Sequence, residues 1–141
     1  MDRAKVGTAV FIVRDGRLLM QCRDGAHGTG TWSVPGGHVE FGETPEQTVI
    51  RETMEEVGVT IDSATLVAVT NDVFPESGKH YVTLWLRASG IGNETPRTTP
   101  GETSDVAWFK PDSLPSPLFT PLADLIAGKS IIPFDFRSLF A

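Results

Sequence analysis

Cysteine is almost missing from this chain: Cys22 stands alone among 141 residues. No intrachain disulfide can form, and no thiol-rich metal site can be built. In a strand of alternating apolar and polar residues, Cys22 reads as a packing residue. Positive charge is also scarce. Twelve Lys and Arg stand against eighteen Asp and Glu, which gives a formal net charge of −6. Such a chain has no electrostatic reason to hold long nucleic acid. No apolar run approaches the ~20 residues of a membrane span. The N-terminal MDRAKVGTAVFIV lacks a signal-like cleavage region and reads as a first strand. No membrane partner and a cytoplasmic location are therefore expected. Internal repeats and low-complexity stretches are absent too.

What is present is enough for a core. Hydrophobic residues make up 40% of the chain, and a domain of about this size buries ~68–70% of its unfolded surface. A single domain over residues 1–141 is expected. Val6 to Arg14 is rich in β-branched and aromatic residues and reads as a strand. Asp15-Gly16 is a two-residue hairpin signal, and Arg17 to Arg23 returns as its partner. A polar, glycine-rich loop runs on to Gly30. It is either a plain connection or a contact for substrate phosphates through Arg23 or His27. Thr31 to Val34 reads as a short strand ended by Pro35, and Gly36-Gly37 lets backbone approach a ligand. His38 is a turn residue or reaches a phosphate. Val39 and Phe41 alternate with Glu40, which suggests a brief strand pair. Glu40 faces water or assists a metal cluster. Ala64 to Val73 and His80 to Ala88 read as an antiparallel pair, and Val106 to Phe109 as a last strand. A surface loop covers Ile91 to Gly101, and a final helix lies near Thr120 to Ala127. This order predicts an α/β fold with a mixed sheet between helical layers.

One helix stands out. Thr44 is placed as N-cap, Pro45 fits the first turn, and Gln47 completes a capping box. Gly58 is placed to end the helix in a left-handed conformation. Ile50, Thr53, Met54 and Val57 follow helical spacing and predict the buried stripe. Glu52, Glu55 and Glu56 share another face. Glu55 and Glu56 lie at the negative end of the helix dipole. Glu52 and Glu56 form a like-charge pair that costs about 0.2–0.5 kcal/mol. Arg51 offsets part of this through Glu55. An arrangement against local electrostatics has a compensating cation or a functional reason, or it is simply a solvated acidic face. Mg²⁺ takes carboxylate and carbonyl oxygens of this kind.

The spacing in GGHVEFGETPEQTVIRETMEEVGV narrows the choice. Gly37, Glu43, Arg51-Glu52, Glu55-Glu56 and Gly58 give seven fixed positions in register over the 23 residues to Val59. This pattern resembles the Nudix box; Thr53 departs from it, standing where the family has a larger aliphatic residue. The resemblance implies an α/β/α sandwich and hydrolysis of a nucleoside diphosphate linked to another group, with Mg²⁺ or Mn²⁺. By position, it makes Glu52 and Glu56 the main metal ligands, with Glu55 and the Gly36 carbonyl assisting. Arg51 would orient the glutamates and pair with Glu43.

Further stretches, VTNDVF, HYVTLWLRA and LPSPLFTPLADL, resemble the MutT-like branch of small nucleotide pyrophosphatases. There the segment around Leu118, Phe119 and Leu122 would wall the base pocket, with Val34 opposite, although LFxxL at helical spacing also suits a core. An auxiliary acid is implied near the last strand, Glu102 before Asp105. The implied reaction is attack of metal-activated water on a nucleoside triphosphate, standard or modified, releasing the monophosphate and pyrophosphate. Glu55, Glu56 or Glu102 would take the proton. The alternatives are a pyrophosphatase for ADP-ribose or a nucleotide sugar, and a non-catalytic nucleotide sensor. Homodimerisation through exposed strands stays open.

Overall fold

The structure is a computed structural model and describes residues 3–25 and 27–141. Its backbone alternates between two faces from the first strand on. In β1 (Lys5–Phe11), Ala9 and Phe11 point into one apolar cluster, while Val10 and the following Ile12 point into another. Period-two alternation in a strand covered on both sides produces this division. After Ile12 the chain enters β2 (Val13–Arg14), turns, and returns as β3 (Arg17–Arg23). Asp15 and Gly16 both have positive φ, 52° and 72°, as the type I′ hairpin turn demands.

Two short strands follow, β4 (Trp32–Ser33) and β5 (Gly36–His38). Then come α1 (Pro45–Val57), the long pair β6 (Ile61–Phe74) and β7 (Lys79–Ile91), β8 (Thr103–Phe109) and α2 (Thr120–Ile126). A 3-10 helix at Phe136–Phe140 closes the described chain. Sequence propensity did not point to it.

The expected mixed pairing is present, parallel between β1 and β7 and antiparallel elsewhere, and the strands divide into two sheets. One has the order β5-β1-β7-β6, with β1 parallel to β7; the other joins β2, β3 and β4, with β8 also on β3. The division follows from two crossings at the same level. The chain changes sheet at Ile12 between β1 and β2, and again at Val34-Pro35 between β4 and β5. Pro35 has no N–H to give a ladder, but its carbonyl accepts from Val10 N at 2.9 Å.

The helices cover opposite faces. Val49 and Val57 of α1 join the cluster of Val10, Ile12 and Leu19. Leu122 and Leu125 of α2 and Leu139 join that of Phe11, Met20 and Trp85. Phe11 is stacked between Trp85 and Phe134, at 5.6 Å from each. The result is an α/β/α sandwich. Among the described residues, no helix is long and apolar enough to cross a membrane.

Two local expectations change. Val39 and Phe41 are not in a strand; the pairing segment is Gly36–His38, opposite Gly7–Ala9, and Phe41 is fully exposed. The buried face of α1 is Thr48, Val49, Thr53, Glu56 and Val57, while Met54 is 40% exposed. An apolarity count could not foresee that Glu56 is drawn inward by a partner on a distant strand.

Candidate active site

The site begins at the helix start. Thr44 Oγ1 accepts from Gln47 N at 3.1 Å, and Gln47 Oε1 accepts from Thr44 N at 2.9 Å. This reciprocal cap fixes where α1 starts, and so which residues its second and third turns present. The far end is held just as firmly. Gly58 is left-handed, with φ 70°. Arg97 donates to Met54 O at 3.1 Å, and Thr99 Oγ1 donates to the carbonyls of Glu55 and Glu56 at 2.9 and 2.8 Å. A cation and a hydroxyl thus answer the free carbonyls and negative dipole of the helix end. The acidic residues of the last turn therefore do not stand uncompensated.

Arg51 organises the carboxylates. It meets Glu43 in a forked pair, Nε to Oε2 at 2.8 Å and Nη2 to Oε1 at 2.9 Å. Its Nη1 donates to Glu52 Oε1 at 2.7 Å and to Glu55 Oε2 at 3.3 Å. Such fork-to-carboxylate pairing fixes direction as well as charge. The hydrogen bonds from Arg51, then that from the Glu40 backbone, hold the Glu43 carboxyl down at about 2. Arg51 in turn is held more firmly protonated, chiefly by Glu43. Glu40 is exposed and lies 3.7 Å from Arg51.

Glu56 sits apart from this network. It is 6% exposed, and its Oε1 accepts from Gln21 Nε2 at 2.6 Å and from Gly36 N at 3.4 Å. Burial pushes its pKa well up, and the neighbouring Glu52 adds to the push; Gln21 opposes it. Gln21 Oε1 is itself buried without a hydrogen-bond partner among the described residues. Gln21, on β3, was missed from the sequence; the signal was a lone amide within the apolar run LLMQC. Gly37 makes room for Glu52, since a Cβ there would lie 2.5 Å from the Glu52 carboxyl carbon.

Two hollows meet over these residues. The first is a polar cleft of about 300 Å³, lined by Gln21, Glu52, Glu56, Glu102 and Asp24, among others. The second, of about 260 Å³, is lined by Val34, Asp72, Phe74, Tyr81 and Phe119, among others. Arg23, His27, Gly36, Gly37 and His38 border both. Aromatic rings shape the second hollow. Phe74 stacks on Phe119 at 5.9 Å, His38 stacks on Tyr81 at 5.4 Å, and His27 meets Phe74 edge-on at 4.4 Å. The Arg23 guanidinium lies 4.2 Å over the Phe119 ring. Burial lowers the pKa of His27, with Lys79 and Arg23 adding to the effect.

The structure thus gathers Gly36, Glu52, Glu56 and Glu102 around one hollow, and Val34, Arg23, His38 and Phe119 around the other or at their border. Glu55 stands outside the polar cleft; its side chain is 53% exposed and leans on Arg51. Asp105 is exposed, and its Oδ1 accepts from Val106 N instead. Leu118 and Leu122 do not wall the hollow. Leu122 is fully buried in the core beside Phe11 and Met20, and Leu118 packs against that core. Pro121 takes the place at the wall. The short α2 turns its leucines toward the sheet, so only its first turn reaches the rim.

The donors suit a hard divalent cation. Among the described residues, no three His, Cys, Asp or Glu side chains form a ready cage. Mg²⁺, however, usually takes one or two carboxylates and completes its shell with water and phosphate oxygens. Glu52, Glu56 and the Gly36 carbonyl are oxygen donors of that kind, and a buried carboxylate such as Glu56 is costly to ionise without a cation.

The chain belongs to the Nudix family: residues 3–128 match the NUDIX domain. A MutT-like protein of Streptomyces ambofaciens is 36% identical over 110 residues, 77% of this chain and 66% of the relative. An oxidized purine nucleoside triphosphate hydrolase of Danio rerio is 34% identical over 119 residues, 82% of this chain and 72% of the relative. The crystal structure of a MutT NUDIX hydrolase from Burkholderia pseudomallei is similar at TM-score 0.81 and 35% identity, covering 93% of this chain and 100% of that one. The chain spans about two-fifths of the length of several longer curated relatives that it also matches.

Proposed function

We propose that this Nudix hydrolase cleaves a nucleoside triphosphate to the monophosphate and pyrophosphate, with Mg²⁺ or Mn²⁺. One observation carries the reading: two neighbouring carboxylates, buried Glu56 and half-buried Glu52, open into a polar cleft that runs directly into an aromatic hollow. The first suits a cation on a phosphate chain, the second a flat base. The name of the Danio relative, an oxidized purine nucleoside triphosphate hydrolase, supports the same substrate class. It also leaves modified purines within it.

Glu52, Glu56 and the Gly36 carbonyl are the proposed ligands, with Glu55 released from Arg51 as a further one. A cation bound there supplies positive charge that polarises phosphate oxygens and lowers the pKa of water. Arg51 holds Glu52 in direction. Arg23 and His38, at the border of the two hollows, are the proposed phosphate contacts. Glu102, on the cleft wall, is the proposed proton acceptor, because its carboxylate is not among the proposed metal ligands. Its loop is anchored by Thr99, whose N donates to Thr103 Oγ1 at 2.6 Å.

The test is a panel of nucleoside triphosphates, nucleotide sugars and ADP-ribose, incubated with purified protein and Mg²⁺. Release of pyrophosphate from a triphosphate is the expected result. Cleavage of diphosphate derivatives alone would overturn the substrate class.

A further inference from the structure

Asp72 plays no part in the chemistry above, yet it lies in the floor of the aromatic hollow. Alternation along β6 brings Thr70, Asp72 and Phe74 onto one face. Pairing with β7 sets Thr83 opposite Thr70 and Tyr81 opposite Asp72. Asp72 is only 7% exposed, and a carboxylate so placed needs partners.

It has them on one oxygen alone. Thr70 Oγ1 and Thr83 Oγ1 both donate to Asp72 Oδ2, each at 2.7 Å. The direction of the first bond is fixed from behind. Trp85 Nε1, which can only donate, gives its proton to Thr70 Oγ1 at 2.8 Å, so the Thr70 hydroxyl must turn its own proton to Asp72. Two hydroxyls fill the lone pairs of Oδ2. Oδ1 has no hydrogen-bond partner among the described residues. Arg23 and Lys79 line the same hollow, but neither forms an ion pair with Asp72 among those residues.

We propose that Asp72 reads the edge of the base and selects a ring with two adjacent N–H donors, the pattern of guanine. The inference rests on the nucleotide reading of the site. Oδ1 offers two acceptor positions and no donor. Guanine meets it with N1–H and the 2-amino group side by side. Adenine and cytosine present one amino donor beside a ring-nitrogen acceptor, and uracil flanks its N–H with two carbonyls. Each of these sets a lone pair against the carboxylate. Phe74, Tyr81 and Phe119 line the same hollow as Asp72 and give a planar base aromatic surface to pack against. A site built to accept from such donors rejects analogues that lack them more strongly than an apolar slot does.

Calorimetric binding of GMP, IMP and AMP to the full chain without metal tests this. IMP lacks only the 2-amino group. GMP is expected to bind at least about tenfold more tightly than either, and D72N is expected to cut that preference below about threefold. Equal affinities in the unmodified protein, or an undiminished preference in D72N, would overturn the proposal. The unmodified protein alone decides the matter if D72N does not fold. Turnover separates the two readings: a GMP preference without triphosphate cleavage sinks the proposed reaction and keeps the base reading. Cleavage without the preference does the reverse.

Discussion

At Glu56, burial and the neighbouring Glu52 carboxylate both favour the protonated form. A carboxyl with a raised folded pKa contributes its stability below its ordinary value and loses it as pH rises through the raised one. Without a divalent cation, the protein should therefore lose stability from this group as pH climbs. E56Q removes the ionisation and keeps the shape. We expect its metal-free melting temperature to exceed that of the unmodified protein, by a margin that widens with pH in a thermal scan. Its turnover should fall more than about 100-fold, beyond the 10–100-fold of residues that only support a metal ligand. On the proposed reading Arg51 is such a supporting residue, so R51A should cost about 10–100-fold in activity or metal affinity. Steady-state kinetics against Mg²⁺ concentration checks this. The acidic box and Arg51 were legible in the sequence because their spacing is local. Gln21 and Asp72 were not, because each acts through partners on other strands: Gln21 on Glu56 of α1, Asp72 with Thr83 of β7.

The elements carry a different set of tests. Thr44 caps α1 with a hydrogen bond in each direction, and T44A should lower global stability by about 1 kcal/mol in a urea titration. The capping pair and Gly58 were readable because a helix end is decided by a few adjacent residues. Which face is buried was not. The sequence favours the more apolar side of the helix with Met54, whereas the interior takes the side with Glu56. At α2, spacing alone could not separate a pocket wall from a core ridge, and Leu122 belongs to the core. L122A should therefore cost about 2–5 kcal/mol of stability. KM measured on the folded protein should change little. A large KM effect at unchanged stability would return Leu122 to the pocket.

Across the whole molecule, the sandwich places two kinds of surface side by side. The crossings at Ile12 and Val34-Pro35 split the strands into two sheets, and β5 brings Gly36 and Gly37 to the carboxylates of α1. Oxygen donors then face one hollow and ring faces the other, with five residues in common. The strand sequence announced an α/β sandwich through its alternation and helix order. The split into two sheets depended on long-range pairing that alternation does not encode. Charge acts at this scale too. With a net charge of −6, the proposed reaction calls for a cation between the protein and a polyphosphate. Mn²⁺ binding by electron paramagnetic resonance, with a non-hydrolysable nucleoside triphosphate analogue present, measures that need most directly. The account predicts saturable binding in the unmodified protein, weakened at least about tenfold in E52Q and in E56Q. Equal Mn²⁺ affinity in all three proteins would contradict it.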